Sequence, residues 1–139
     1  SATLRWDQDH QDYMLQVIAP LGQCTYHLSS DAGKVMLLTP DNKAYRATDA
    51  EHLLQDNLGW NVPLHGLQYW VRGAPEPGVT TDNLLLDDKG RMTDLQQSRW
   101  RISVLRYGEF NGKELPTKLF MQNDRFKLRL VVIGWETTL

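Results

Sequence analysis

Four histidines and one cysteine are the side chains of this sequence best suited to metal binding or nucleophilic catalysis. The histidines stand at positions 10, 27, 52 and 65, and none of their spacings matches an HxxxH or HExxH zinc motif. Cys24 and His27 are three residues apart in a predicted strand, so their side chains point to opposite faces and form no local dyad. The sequence therefore predicts no metal site, no cofactor and no enzyme. A catalytic pair that only the fold brings together is the alternative.

An apolar residue at a predicted turn is the first feature that indicates a function. Pro20, Leu21 and Gly22 join two predicted strands, and a Pro-X-Gly turn of this kind directs Leu21 away from the sheet. Leucine is an unusual choice for a turn in water. Two interpretations are open: Leu21 packs back onto the rim of the sheet, or it is an apolar finger that contacts a membrane or a partner.

A large apolar set on one face of the predicted sheet is the second such feature. Alternation of apolar and polar residues places these side chains inward. The set comprises Tyr13, Leu15, Val17, Tyr26, Leu28, Val35, Leu37, Leu53, Leu54, Trp70, Leu84, Leu86, Trp100, Ile102, Leu119, Met121, Phe126, Leu128 and Leu130. A barrel of about ten strands is wide enough for a ligand unless other elements fill it. The residue types alone leave open whether this interior is a packed core or a hollow.

The elements that position these residues are mostly strands. Alternation predicts ten of them, near 3–7, 11–19, 23–29, 34–39, 43–47, 82–87, 91–97, 100–107, 116–123 and 126–135. Tight polar turns such as 87–90 and 111–112 favour antiparallel neighbours. So many meandering strands curl until the sheet closes or nearly closes.

Two short helices interrupt the strands. A capping box with Thr48 as N-cap and Glu51 at its fourth position opens the first helix. Leu64, Leu67 and Trp70 form one apolar stripe on the second helix. We expect both helices to bury their apolar sides at the mouth or in the interior of the barrel.

Length and charge bound the class of protein. The chain has 139 residues, which is the size of a single domain. Fifteen Lys and Arg against seventeen Asp and Glu give a net charge of −2, without the basic cluster that nucleic acids require. No apolar run approaches the ~20 residues of a membrane-spanning helix. We expect one domain over residues 1–139 and no nucleic-acid partner.

The order and spacing of several motifs identify a family. They are Trp6, Asp12-Tyr13, Pro20-Leu21-Gly22, Tyr45, Ala47, Asp49-Ala50-Glu51, 58–64 with the sequence LGWNVPL, Leu67, Trp70, Gly73, Pro75, Gln97, Trp100, Leu115-Pro116, Lys118-Leu119 and Trp135. With these motifs the chain resembles, over nearly its whole length, the LolB family of outer-membrane lipoprotein receptors in the lipoprotein-sorting pathway of Gram-negative bacteria.

The resemblance implies a fold and a function. The fold is a mainly β, unclosed antiparallel β-barrel of about ten or eleven strands with a short helical lid or plug over a hydrophobic cavity. The inward set, without Leu84 and Leu86, would line that cavity. The function is acceptance of a lipoprotein's acyl chains from the periplasmic carrier LolA and release into the inner leaflet of the outer membrane. The segment Pro20-Leu21-Gly22 would be the membrane-insertion loop.

The start of the chain departs from the family pattern. Family members begin with a lipid-modified cysteine followed by a helix and a first strand. Cys24 lies in a predicted strand and does not match that anchor. We expect a chain without the family's anchor, N-terminal helix and first strand. The intact protein would be lipid-anchored at the periplasmic face of the outer membrane.

Two other functions fit the same sequence. One is a soluble periplasmic carrier similar to LolA, against which Leu21 and the stretch from Trp60 to Trp70 argue. The other is a protein-interaction module with a filled barrel, which would bind no apolar ligand.

Overall fold

The fold is given by a computed structural model, which describes residues 2–9, 12–18, 25–32, 34–47, 49–58 and 64–136. Ten strands and two helices occur in these ranges. In chain order they are β1 (Ala2–Asp9), β2 (Asp12–Ile18), β3 (Thr25–Asp31), β4 (Lys34–Leu38), β5 (Ala44–Ala47), α1 (Ala50–Leu58), α2 (Leu64–Trp70), β6 (Thr81–Leu86), β7 (Met92–Gln97), β8 (Trp100–Phe110), β9 (Lys113–Gln122) and β10 (Lys127–Glu136).

All ten strands belong to one hydrogen-bonded sheet. Its strand order is β5-β4-β3-β2-β1-β10-β9-β8-β7-β6. The end strands β5 and β6 do not pair with each other, so the sheet is not closed. Consecutive strands pair antiparallel from β1 to β5 and from β6 to β10. The predicted fold class, a mainly β unclosed antiparallel barrel with a small helical part, is confirmed.

The chain divides into two compact units. The first unit holds Ala2–Leu64 and the residues from Val132 onward, and the second unit holds His65–Val131. The first unit therefore contains β1–β5, α1 and the end of β10. The second contains β6–β9, the start of β10 and α2 from its second residue.

A two-residue turn and a turn held by an aspartate side chain connect two strand pairs of the second unit. Asn111 and Gly112 connect β8 and β9 with positive φ values of 50° and 79°, the backbone that a tight hairpin requires. Between β6 and β7 the Asp87 carboxylate accepts hydrogen bonds from the backbone N–H groups of Lys89 and Arg91, both at 2.9 Å. These bonds, that from Arg91 first, hold the pKa of Asp87 below its ordinary value.

The two helices begin and pack through identifiable contacts. Helix α1 starts at Ala50, and the Asp49 carboxylate accepts the backbone N–H of Glu51 at 3.0 Å. The Asp49 carboxylate thus caps a backbone N–H of the first turn, and the predicted N-cap, Thr48, lies outside the described residues. Leu64, Leu67 and Trp70 of α2 are buried, which confirms the predicted apolar stripe.

Candidate functional site

The first unit has a continuous apolar face built from cross-strand neighbours. Register places Trp6 opposite Leu15, Leu15 opposite Leu28, and Leu28 opposite Leu37. All four side chains are at most 2% exposed. The predicted lining residues Tyr13, Val17 and Val35 are buried on this face as well, and Tyr26 is half-buried. The alternation in β2–β4 therefore identified one face correctly.

A stacked aromatic pair lies on this face near the hairpin of β1 and β2. The rings of Trp6 and Tyr13 stack with their centroids 4.6 Å apart and their planes 11° from parallel. The indole N–H of Trp6 donates to Gln8 Oε1 at 2.8 Å, so the buried amide satisfies the buried ring nitrogen. Burial, with the negative charges of Glu51 and then Asp49, raises the pKa of the Tyr13 hydroxyl to about 12.

Helix α1 contributes two further predicted residues to the apolar interior of the first unit. The helix contacts β4 and β5, and its Leu53 and Leu54 are buried. The opposite side of the helix is polar and exposed, where His52 Nδ1 lies 2.7 Å from Asp49 Oδ2. An amphipathic helix of this kind covers a sheet with one side only.

The second unit has a matching apolar face. Leu95 lies opposite Ile102, Ile102 opposite Met121, and Met121 opposite Leu128. The other predicted lining residues of this unit are Trp70, Trp100, Leu119 and Leu130, which are buried, and Phe126, which is half-buried.

Two residues of the inward set are not buried. Leu84 is 40% exposed and Leu86 is 57% exposed. Alternation assigned them to the correct row, since Leu84 lies opposite the buried Leu95. It could not show that β6 is an end strand of the sheet, with β7 as its one partner among the described strands. The prediction that both leucines lie in the interior is therefore wrong.

A buried amide that the sequence analysis gave no role organises the second unit. Gln97 is 0% exposed at the end of β7. Its Oε1 accepts the indole N–H of Trp70 at 2.9 Å and the backbone N–H of Glu76 at 2.8 Å. Its Nε2 donates to the carbonyls of Glu76 and Val79 and to Thr81 Oγ1 at 2.9 Å. One side chain thus ties α2, the segment after it and the start of β6 to β7.

A concavity occurs on the polar face of the second unit. Its volume is about 330 Å³, and it lies across β6–β9. Asp94, Gln96, Arg101 and Ser103 contribute polar groups, and Ser103 Oγ donates to Asp94 Oδ1 at 3.1 Å. Leu85, which is 51% exposed, forms one wall.

Several predicted functional positions fall outside the described residues. They are Pro20, Leu21, Gly22, Cys24 and Trp60. Among the described residues, no three His, Cys, Asp or Glu side chains gather closely enough to hold a metal ion. None of the described helices has the length and apolar character needed to span a membrane.

The arrangement defines a mainly β protein in which an open antiparallel sheet carries an apolar face and two short helices with apolar sides. The family profile for the outer membrane lipoprotein LolB matches residues 1–135. The chain belongs to the LolB family, and the resemblance drawn from its motifs is confirmed.

Individual relatives agree with the family profile. The chain is 37% identical over 136 residues to outer-membrane lipoprotein LolB of Nitrosococcus oceani. The matched region covers 98% of this chain and 68% of that protein. It is 36% identical to the protein of the same name from Pseudomonas syringae pv. syringae, with 98% of this chain and 66% of the relative covered. The chain therefore spans about two thirds of the length of these relatives.

Proposed function

We propose that this chain is the receptor domain of an outer-membrane lipoprotein that accepts acylated lipoproteins from the periplasmic carrier LolA and inserts them into the outer membrane. Membership of the LolB family carries the proposal. The proposed site of action is the periplasmic face of the outer membrane. Residues 1–139 would act as one functional domain within a protein that is longer in the relatives.

The proposed ligands are acyl chains, and the proposed binding surface is apolar. The apolar face of each unit is a candidate for this surface, since each consists of aliphatic and aromatic side chains in cross-strand rows. Acyl chains need burial and no directional partner, so this surface requires no charged group. Because Leu28, Leu37, Ile102 and Met121 are already at most 1% exposed, a ligand must displace existing contacts as it enters.

Such displacement fits a receptor that must also release its ligand. Burial contributes about 0.8 kcal/mol per CH₂ group, so three long acyl chains would contribute roughly 30 kcal/mol if fully buried. Non-covalent affinities saturate near about 18–21 kcal/mol, and a receptor of that affinity would release nothing. Partial burial at the cost of internal contacts keeps binding weaker than insertion into a bilayer. Transfer then needs no ATP and no covalent chemistry, which fits a receptor rather than an enzyme.

Delivery to the membrane is the proposed role of Leu21. A leucine at the tip of a Pro-X-Gly turn would enter the apolar part of a bilayer before the cargo does. We therefore propose that the segment Pro20-Leu21-Gly22 is the membrane-insertion loop.

Transfer between proteins tests the proposal. The carrier LolA is loaded with a tri-acylated lipoprotein and mixed with this chain bearing an affinity tag, and the lipoprotein is followed by co-purification. We expect the lipoprotein to move to the tagged chain, whereas a lipoprotein without acyl chains stays behind. Failure to move to a folded sample would contradict the proposal.

Two further measurements distinguish the receptor from the two alternative functions. A soluble carrier would take lipoprotein from the inner-membrane exporter and not from LolA. An interaction module with a filled interior would bind neither the acylated lipoprotein nor an apolar dye.

A further inference from the structure

Strand β6 leaves three consecutive leucines in contact with solvent at an end of the sheet. Leu84, Leu85 and Leu86 are 40%, 51% and 57% exposed. Leu84 faces the same side as the buried Leu95, whereas Leu85 faces the polar side beside the 330 Å³ concavity. An end strand offers unpaired backbone N–H and C=O groups on its outer side, and proteins usually guard such edges with charge or cover.

Carboxylates flank the leucine run at both ends. Asp82 precedes it, and Asp87 and Asp88 follow it. Asp87 is engaged by Arg91, whose Nε lies 2.8 Å from Asp87 Oδ2 and whose Nη1 lies 2.7 Å from Glu114 Oε2. Within the described residues, Asp82 and Asp88 are exposed and form no ion pair. Lys89, at the turn directly after Asp88, is the cation nearest to them in the sequence that forms no ion pair in these residues.

The positions of these carboxylates argue against pairing of β6 with a second copy. An antiparallel pair centred on Leu85 would set Leu84 opposite Leu86 and Asp82 opposite Asp88, twice in each dimer. A pair shifted by one residue would set Asp82 opposite Asp87 instead. In the other antiparallel registers that match leucine with leucine, a leucine lies opposite a carboxylate: Asp82 opposite Leu86, or Leu84 opposite Asp87 or Asp88. An anionic membrane surface would meet the same carboxylates and be repelled.

We propose that β6 is a strand-addition site for an extended segment of another protein, apolar in its centre and basic at both ends. Such a segment would bond to the edge of β6 that pairs with no described strand, cover Leu84 and Leu86 on one side and Leu85 on the other, and place its cations opposite Asp82 and Asp88. Strand addition derives affinity from main-chain bonds and specificity from side-chain positions. The concavity beside Leu85 offers room for one larger side chain of the incoming segment.

A matched pair of peptides tests the charge requirement. The first is a capped, fluorescently labelled peptide of alternating valine and threonine with lysine at both ends, and its twin carries glutamate in place of lysine. Fluorescence anisotropy with the folded chain should show the lysine peptide binding about tenfold more tightly than its twin at low salt. High salt should reduce that ratio. No binding by either peptide, or equal binding by both, would overturn the proposal.

Variants of exposed residues locate the binding. The double variant Leu84→Thr, Leu86→Thr should weaken binding of the lysine peptide about tenfold. Leu105→Thr is the matched control, because Leu105 is 58% exposed on β8 and should leave binding unchanged. Asp82→Asn with Asp88→Asn should equalise the two peptides, whereas Asp124→Asn, at an exposed turn of the same unit, should not.

Two other occupants of β6 are checked with the same variants. Sedimentation would reveal a dimer that the leucine variants abolish, and flotation with phosphatidylethanolamine–phosphatidylglycerol vesicles would reveal membrane binding that they abolish. Either result would replace the proposed partner. The peptide experiment contains no lipid, so its outcome is independent of whether the chain accepts acylated lipoproteins.

Discussion

The indole nitrogen of Trp70 and the amide oxygen of Gln97 lie 2.9 Å apart, and this bond joins α2 to the end of β7. Both side chains are 0% exposed, so neither can exchange its partner for water. The same amide oxygen accepts the backbone N–H of Glu76 at 2.8 Å. A single glutamine therefore fixes both the helix and the segment that leaves it.

Replacement of this glutamine should destabilise the second unit strongly. Gln97→Ala leaves the buried indole N–H and the part-buried backbone N–H and carbonyl of Glu76 without these partners, and an unsatisfied buried group costs about 1–3 kcal/mol. We expect a total loss of about 3 kcal/mol or more in the free energy of unfolding, measured by urea denaturation. Gln96→Ala is the control, since Gln96 lies on the polar face and should change stability by less than about 0.5 kcal/mol.

Gly66 should not tolerate alanine, although alanine favours a helix. A Cβ at this position would lie 2.8 Å from Glu76 Oε1 and 3.0 Å from Trp70 Cζ2. The indole cannot retreat without breaking its bond to Gln97, so we expect Gly66→Ala to cost about 1–3 kcal/mol of unfolding free energy. Gln68→Ala in the same helix should be neutral or slightly stabilising. A stabilised Gly66→Ala protein would show that Trp70 moves freely.

Stability should fall in alkaline solution because of Tyr13. The folded pKa of its hydroxyl is about 12 and the ordinary value is 10.0, so the unfolded chain loses this proton first as the pH rises. Below pH 10 the hydroxyl is neutral in both states and has no effect of this kind. Between pH 10 and 12 only the unfolded chain ionises, so the free energy of unfolding falls by a total of about 3 kcal/mol.

Tyr13→Phe tests this assignment. The variant keeps a ring to stack on Trp6, so its stability near neutral pH should change little, whereas its loss of stability above pH 10 should be smaller than in the native chain. Denaturation at a series of pH values measures both. An unchanged alkaline slope would assign that loss to other groups, of which Tyr107 also has a raised pKa owing to burial.

Leu21→Glu should separate acceptance from delivery. A carboxylate at the tip of the turn is expensive to place in hydrocarbon, so insertion into liposomes should fall about tenfold or more, while uptake of lipoprotein from LolA should be retained. Leu105→Glu places the same charge at another leucine, which is 58% exposed, and should leave delivery intact. Normal delivery by Leu21→Glu would contradict the role proposed for Leu21.

Period-two alternation predicted the strands well, because buried residues alternate with more exposed ones along most of them. Hairpin β8–β9 is longer than predicted: β8 continues to Phe110 and β9 begins at Lys113. There Gly108 and Pro116 interrupt the alternation, but pairing continues to Phe110 and Lys113 beyond register irregularities at Val104–Tyr107. Sequence patterns record local conformation and face, and these were sufficient for the strands.

Positions that depend on non-local neighbours could not be predicted in this way. Leu84 and Leu86 repeat with the same period as buried leucines, and only the strand order shows that β6 is an end strand. Gln97 is polar and would be expected at the surface, but its partners come from segments 16 to 27 residues away. Such partners leave no local signal in the sequence.

Strand β10 belongs to both units, since its residues through Val131 lie with β9 and those from Val132 onward lie with the first unit. A ribosome produces this strand after the other described strands. Strand β1 therefore gains this neighbour only after β2–β9 have been made. Until then the edge of β1 is open to wrong partners. The order of synthesis thus leaves both units without part of their sheet until β10 has been made.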